Sequence, residues 1–258
     1  MQIESMAQRH SYILNKLNKE EVVKVSDLSD ELNVSPVTIR KDLKVLESKK
    51  LLYRSHGIIT KSNPYIMDVN VNIKSGIRTD QKKRIGEAAA ALVAPEDAIL
   101  IASGTTVLQL AEALAHNTTE HLTVVTSAMN VAMVLRERPN TEIIQLGGII
   151  RQSSTSVVGP YAEDMLRRLS FKTLFLGVDG IDAEYGCSTS NMMEAQLNEV
   201  MINAAQKTVI LTDSSKFGKK GFGKICDLSE IDQIITDDEI THASREKIEQ
   251  AGVELTIV

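Results

Sequence analysis

No apolar run in this chain approaches the roughly 20 residues that a membrane-spanning helix needs. The opening Met1-Gln2-Ile3-Glu4-Ser5 also lacks a charged segment followed by an apolar stretch, so neither a helical span nor a secretion signal is expected. Cysteine is scarce. The two present, Cys187 and Cys226, form no CxxC pair, which fits reduced thiols in a cytoplasmic protein better than a disulfide scaffold. The five histidines are scattered without HxxxH or comparable ligand spacing, so no metal and no other cofactor is expected. What remains is 258 residues, 43% of them apolar, enough for one large core or two unequal ones.

The net charge of −5 argues weakly against a nucleic-acid partner, but it is unevenly spread. Residues 1–60 carry 10 Lys and Arg against 8 Asp and Glu, whereas the remainder carries 19 against 26. Between Ser35 and Lys61 the bases Arg40, Lys41, Lys44, Lys49, Lys50, Arg54 and Lys61 face only Asp42 and Glu47. A basic segment on an acidic protein localises the field that attracts phosphates, although a solvated helix face has the same composition.

Periodicity divides the chain. A helix is expected from about Ile3 to Leu17, then a short β stretch at Val22–Val25. A second helix follows, capped by Ser26 and burying Leu28 and Leu32. Asn33-Val34 makes a turn. Ser35 caps a third helix with Pro36 at its first position, and Ile39, Leu43 and Leu46 form its buried stripe. Leu51–Ile59 reads as a hairpin turning near His56-Gly57. The segment after it has little periodicity. From Thr79 onward helical stretches (82–92, 106–115, 128–136, 161–169, 192–205, 242–251) alternate with β runs (98–102, 122–126, 142–146, 173–178, 208–212, 231–236, 253–258). That alternation predicts a mainly parallel sheet with helices on both faces. The expected division is a winged helix-turn-helix DNA-binding domain at 1–60, a linker at 61–78 and an α/β domain at 79–258.

Two short helices, a tight turn and a β wing project one helix outward, and such a helix fits the major groove of B-DNA. Ser35, Pro36, Thr38, Arg40 and Lys41 stand near its start as base-edge or adjacent phosphate candidates. Lys44, Lys49, Lys50 and Arg54 are phosphate candidates, and His56 is a minor-groove candidate from the wing. Asp42 is expected to orient a neighbouring basic side chain. Leu28-Ser29-Asp30-Glu31-Leu32-Asn33-Val34-Ser35-Pro36-Val37-Thr38-Ile39-Arg40-Lys41-Asp42-Leu43, continuing through Leu46-Glu47 to Arg54-Ser55-His56-Gly57, resembles the DeoR family of bacterial regulators. The family usually shows Arg-Arg-Asp where this chain has Arg40-Lys41-Asp42, and Lys lacks the bidentate fork of Arg.

In the larger region Ser103-Gly104-Thr105-Thr106, between a strand and a helix, has the make-up of a phosphate cradle. Alone it matches a plain capping turn equally well. Thr126-Ser127 and Gly147-Gly148, each after a further strand, place small residues where loops gather at the carboxyl ends of a parallel sheet. These motifs, with Gln81–Gly86 and Asp213-Ser214-Ser215-Lys216-Phe217-Gly218, are similar to the DeoR-family sensor, which is related to ribose-5-phosphate isomerase. Many family members carry Asp where this chain has Ala102. The resemblance implies that Lys82, Thr105, Thr106 and Lys216 contact a ligand phosphate or sugar, with Asp179 and Asp182 accepting from hydroxyls and Arg151 as an extra anion contact. Asp179-Gly180-Ile181-Asp182 is similar to the isomerase motif and Glu194 falls near its general base. The lysine expected after those aspartates is missing from 183–193, so catalytic residues are not expected. The expected function is a DNA-binding regulator, more specifically a homo-oligomeric repressor of sugar-metabolism genes controlled by a phosphorylated sugar. The alternative is a sugar-phosphate isomerase fused to a DNA-binding domain.

Overall fold

The computed structural model describes residues 5–20, 22–49, 51–55, 58–60, 68, 70–116 and 121–258. Contacts divide the chain into two units, Met1–Tyr65 and Ile66–Val258. The first contains α1 (Met6–Lys19), β1 (Val22–Lys24), α2 (Val25–Leu32), α3 (Pro36–Ser48), β2 (Tyr53–Ser55) and β3 (Ile58–Thr60). Its strands form an antiparallel sheet in the order β1-β3-β2. Ser5 caps α1 in a reciprocal box with Gln8. Ser35 caps α3, accepting from the Thr38 N–H, with Pro36 in the first turn where its missing donor costs nothing. Ser26 does not cap α2. The strand β1 runs straight into the helix, Lys24 takes the cap position without a side-chain bond, and the Ser26 hydroxyl donates to Asp27. Asn33 ends α2 in the left-handed conformation at φ 48°, which Asn tolerates better than most residues. Ile13, Leu17, Leu28, Leu32, Ile39, Leu43, Leu46, Leu52 and Ile59 form the core of this unit. Ser55 pairs with Ile58; the turn expected near His56-Gly57 lies outside the described residues.

The second unit begins inside the segment read as a linker, with α4 (Val71–Ser75). Then come α5 (Thr79–Ala90), β4 (Ala98–Ile101), α6 (Thr105–Ala115), β5 (Leu122–Thr126), α7 (Met129–Leu135) and β6 (Thr141–Gln145). Next are β7 (Ile149–Arg151), β8 (Ser156–Val158), α8 (Pro160–Leu166), β9 (Phe171–Gly177), β10 (Gly180–Asp182), β11 (Gly186–Thr189) and α9 (Met192–Asn203). The unit ends with β12 (Ala205–Leu211), β13 (Gly223–Cys226), β14 (Gln233–Thr236), α10 (His242–Gln250) and β15 (Glu254–Ile257). The seven expected strands form one parallel sheet in the order β15-β14-β12-β9-β4-β5-β6.

Alternation along the strands makes two cores. Ile99 and Ile101 of β4 join Phe175, Val209, Leu211 and Ile235 beneath α5, α6 and α7. Leu100 faces the other way, with Leu174, Leu176, Ile210 and Ile234 under α8, α9 and α10. Two elements went unread in the sequence, an antiparallel sheet β10-β11-β13 and a hairpin β7-β8. Their strands are three or four residues long, too short for a period to show. Among the described residues no helix is long and apolar enough to cross a membrane.

Candidate DNA-reading helix and candidate ligand pocket

The buried stripe of α3 fixes which side chains point away from the core. Ser35, Pro36, Arg40, Lys41 and Lys44 are exposed and Thr38 is half-buried. The Ser35 and Thr38 hydroxyls lie 3.0 Å apart, so the cap already engages both. Arg54 on β2 is partly committed: its Nη2 is 2.7 Å from Glu47 Oε2, and Glu47 Oε1 accepts from the Arg54 N–H at 3.1 Å. Asp42 is only 3% exposed. It accepts from Arg9 Nε at 2.6 Å and lies 3.2 Å from His10 Nε2, so the bases it orients come from α1 and not from α3. Val37, 59% exposed in the first turn of α3, was missed because a valine beside a buried stripe reads as core.

The pocket of the second unit sits where the sheet reverses its order. The chain runs β4, β5, β6 to one edge, then returns beside β4 with β9 and continues to the other edge. Loops after β4 and β9 therefore diverge and leave a crevice at the carboxyl ends of these strands. Ser103, Gly104, Thr105 and Thr106 line it from β4, Gly177, Val178 and Asp179 from β9, and Asp213, Ser215 and Lys216 from the loop after β12. Asp68, Val71, Lys74 and Ile77 close one side, and Thr189, Ser190, Glu194, Asn198, Ser153 and Ser154 another.

One part of this pocket favours an anion. Gly104 at φ 138° starts α6, Thr105 and Thr106 behind it are buried, and among the described residues the helix start has no side-chain cap. Lys82 reaches the pocket from α5 and is 4% exposed, its Nζ donating to the carbonyls of Lys74 (2.6 Å) and Ile77 (2.7 Å). Burial pushes its ammonium down to about 8, with Lys216, Lys74 and Arg78 adding to the effect and Asp213 opposing it. Among the described residues Lys216 makes no ion pair. It closes a 3-10 turn, Ser214–Lys216, capped by Asp213.

The other part is rich in acceptors. Asp179 takes Lys74 Nζ at 2.6 Å and the hydroxyls of Thr189 and Ser190, each at 3.2 Å. Burial works against its charge, but Lys74, Lys216 and the Ser190 N–H outweigh it and hold the carboxyl below its usual range. Glu194 accepts from Ser103 Oγ at 3.1 Å and Arg151 Nη1 at 3.2 Å, with Thr189 Oγ1 at 3.3 Å. Asn191 sets its place by capping α9 through the Met193 and Glu194 N–H groups.

Not every expected contact faces this crevice. Thr126 donates to the Ile101 carbonyl at 2.7 Å and accepts from the Ala128 N–H at 3.0 Å, a buried tie between β4 and the turn after β5. Ser127 is buried, its carbonyl accepting from Val157. Gly147 is exposed, and Gly148, at φ 152°, brings the backbone so close that a Cβ would lie 2.7 Å from the Val158 carbonyl oxygen. These residues shape the sheet edge because β5 and β6 run away from the reversal point. Asp182 is also outside the lining, capping the β10–β11 turn through the Glu184 and Tyr185 N–H groups. Arg151 acts from behind, gripping Glu194 and also Asp68 at 2.8 Å. No lysine lies within 183–193, but Lys74, Lys82 and Lys216 bring cations to the pocket from other parts of the chain. Sequence reading missed Asp68 and Lys74, which lie in an aperiodic stretch. It also missed Ser153, Ser154, Thr189, Ser190 and Asn198, for which no local motif gives a signal. Among the described residues no cluster of His, Cys, Asp or Glu is arranged to hold a metal.

Comparisons with known proteins agree with the two-unit organisation. Residues 9–63 match the DeoR-like helix-turn-helix domain and residues 77–238 the DeoR C-terminal sensor domain. A protein of Escherichia coli O157:H7, named as a candidate aga operon transcriptional repressor, is 38% identical over 98% of this chain and 94% of its own length. The HTH-type transcriptional regulator GlpR of Haloferax volcanii is 34% identical over 96% of each chain. Ribose 5-phosphate isomerase A of Neisseria gonorrhoeae is similar in structure over 53% of this chain and 52% of its own, with a TM-score of 0.38 and 18% identity. The chain belongs to the DeoR family of helix-turn-helix transcription regulators.

Proposed function

We propose that this regulator is a homo-oligomeric repressor of sugar-metabolism genes that binds operator DNA through α3 and is controlled by a phosphorylated sugar in the pocket of its second unit. The observation that carries the ligand reading is the sharing of one pocket by an uncapped helix start, two lysines and a row of acceptors. Among the described residues the N–H donors of the first turn of α6 have no side-chain cap and lie beside Lys82 and Lys216, which suits a phosphate. Asp179, Glu194 and the hydroxyls of Thr189 and Ser190 suit the hydroxyls of a sugar. Neither half alone specifies the ligand; together they call for a polyol carrying a phosphate.

On the DNA side, Arg40 and Lys41 are free of ion pairs among the described residues and stand exposed in the first half of α3. Val37 adds an apolar contact of the kind that reads a thymine methyl. A two-fold oligomer matches a palindromic site and doubles the bases read. The pocket binds without turnover in this reading. Glu194, the residue in the position of a general base, already has its oxygens engaged by Arg151, Ser103 and Thr189.

A thermal-shift panel of phosphorylated sugars against their unphosphorylated counterparts tests the ligand. At 100 times its dissociation constant a ligand adds about 2.7 kcal/mol of stability. The phosphorylated member of one pair is expected to give that shift and its counterpart none. A panel flat throughout, or equal shifts within every pair, overturns the ligand reading.

A further inference from the structure

One wall of the pocket is made by the stretch of chain that leads in from the N-terminal unit. Two sets of anchors hold it. At its far end Arg78, at φ 55°, is locked by Asp237 (3.0 Å), Glu239 (3.1 Å) and the Ser214 hydroxyl (2.8 Å). Asp237 and Glu239 do not line the pocket; Asp213, whose Oδ1 lies 3.4 Å from Arg78 Nε, does. At the near end the anchors are groups of the pocket lining and Arg151 behind it. Lys74 is paired to Asp179 at 2.6 Å, Asp68 to Arg151 at 2.8 Å, and the Val71 N–H donates to the Ser153 carbonyl at 2.7 Å. Lys82 spends two of its three donors on the carbonyls of Lys74 and Ile77, within the same stretch. The groups that a phosphorylated polyol needs are therefore the groups that hold this segment in place.

Resting on the ligand reading above, we propose that Asn70–Ile77, with Asp68 before it, is the element that couples the pocket to DNA binding. Ligand and near-end anchors compete for Lys74, Lys82, Asp179 and the Arg151–Glu194 pair. Occupancy frees the segment from its near-end anchors while Arg78 stays fixed by Asp237 and Glu239. The change passes along the chain itself, since only positions 61–67 separate Asp68 from the end of β3. Competition of this kind is the differential affinity that any two-state regulator requires.

The test uses the full chain and a genomic fragment selected by the wild-type protein. Lys74→Gln removes the pair with Asp179. Asp68→Asn removes the pair with Arg151 at a side chain 45% exposed, where folding is not at stake. In both variants the amides of Val71, Ile73 and Lys74 are expected to exchange hydrogen faster, and DNA affinity to shift by at least about fivefold, the lower end of ordinary allosteric coupling. Faster exchange with a smaller shift in DNA affinity overturns the proposal, and so does unchanged exchange in both variants. Wild type is titrated in parallel with inorganic phosphate and ribose 5-phosphate. If both variants shift DNA affinity while neither compound nor any sugar of the thermal-shift panel binds, the ligand reading fails and the coupling stands. If a compound binds but the variants leave DNA affinity as it was, the coupling fails alone.

Discussion

Arg9 of α1 holds Asp42 of α3 through two hydrogen bonds, Nε to Oδ2 at 2.6 Å and Nη2 to Oδ1 at 3.2 Å. The carboxylate is buried on the inner side of the helix whose outer side carries Arg40, Lys41 and Lys44, so this pair ties α3, the helix proposed to read DNA, to α1. Asp42→Ala leaves the guanidinium without its partner. Because Arg9 is still 12% exposed and can turn to water, the cost falls below that of a fully buried pair. A loss of about 1–3 kcal/mol from the N-terminal unit is expected in urea unfolding of the full chain. A variant as stable as wild type would show that the pair contributes nothing.

Arg40→Ala and Lys49→Ala separate base reading from phosphate contact. Both side chains are exposed, but Arg40 stands in the first half of α3 and Lys49 at its end. Arg40→Ala is expected to weaken binding to the selected fragment by about 1–3 kcal/mol while leaving scrambled DNA nearly unaffected. Lys49→Ala is expected to weaken both alike and to lower the salt dependence by about one counterion. Fluorescence anisotropy on the two DNAs measures the difference, and parallel losses for Arg40→Ala would remove it from base reading.

The pH response of the pocket follows from Lys82, whose ammonium is held near 8 instead of 10.5, first by burial and then by its cationic neighbours. Below about pH 8 it is charged and, in the proposed ligand reading, pairs with the phosphate; as pH rises through 8 the charge is lost. Ligand affinity is expected to decline above pH 8 by up to about tenfold per unit, and to be weak and flat across that range in Lys82→Met. Stability moves the other way. The unfolded chain keeps this proton up to about 10.5, so folding becomes more favourable with pH between about 8 and 10.5 in wild type but not through this group in the variant. Calorimetry at pH 7, 8 and 9 checks the first statement, and an affinity independent of pH would refute it.

Gly86 lets α5 pass close to α6. A Cβ there would lie 2.5 Å from the Gln109 carbonyl carbon and 2.7 Å from the Leu110 nitrogen, backbone atoms that cannot turn aside. Gly86→Ala is expected to push the helices apart and cost about 1–3 kcal/mol. Since α5 carries Lys82 and α6 begins at the anion-favouring turn, ligand affinity should fall with it. Thermal unfolding with and without ligand measures both effects; an alanine variant that melts with wild type would mean the helices yield freely.

The residues themselves determined much of this. Ser35-Pro36 and the spacing of Ile39, Leu43 and Leu46 placed α3 and its outward face, because capping and a 3.6-residue period are local properties. The seven β runs between helices placed the parallel sheet, because buried parallel strands read as continuous apolar stretches. Tertiary structure alone decided which loops share a pocket. Thr126-Ser127 and Gly147-Gly148 have the same small-residue chemistry as Ser103–Thr106, but the strand order turns their loops toward the sheet edge. Lys74 and Asp179 stand 105 positions apart and Arg9 and Asp42 33 apart, and no local pattern encodes such meetings. Their partners are set by how helices pack on the sheet and on one another, and that packing is a property of the whole chain.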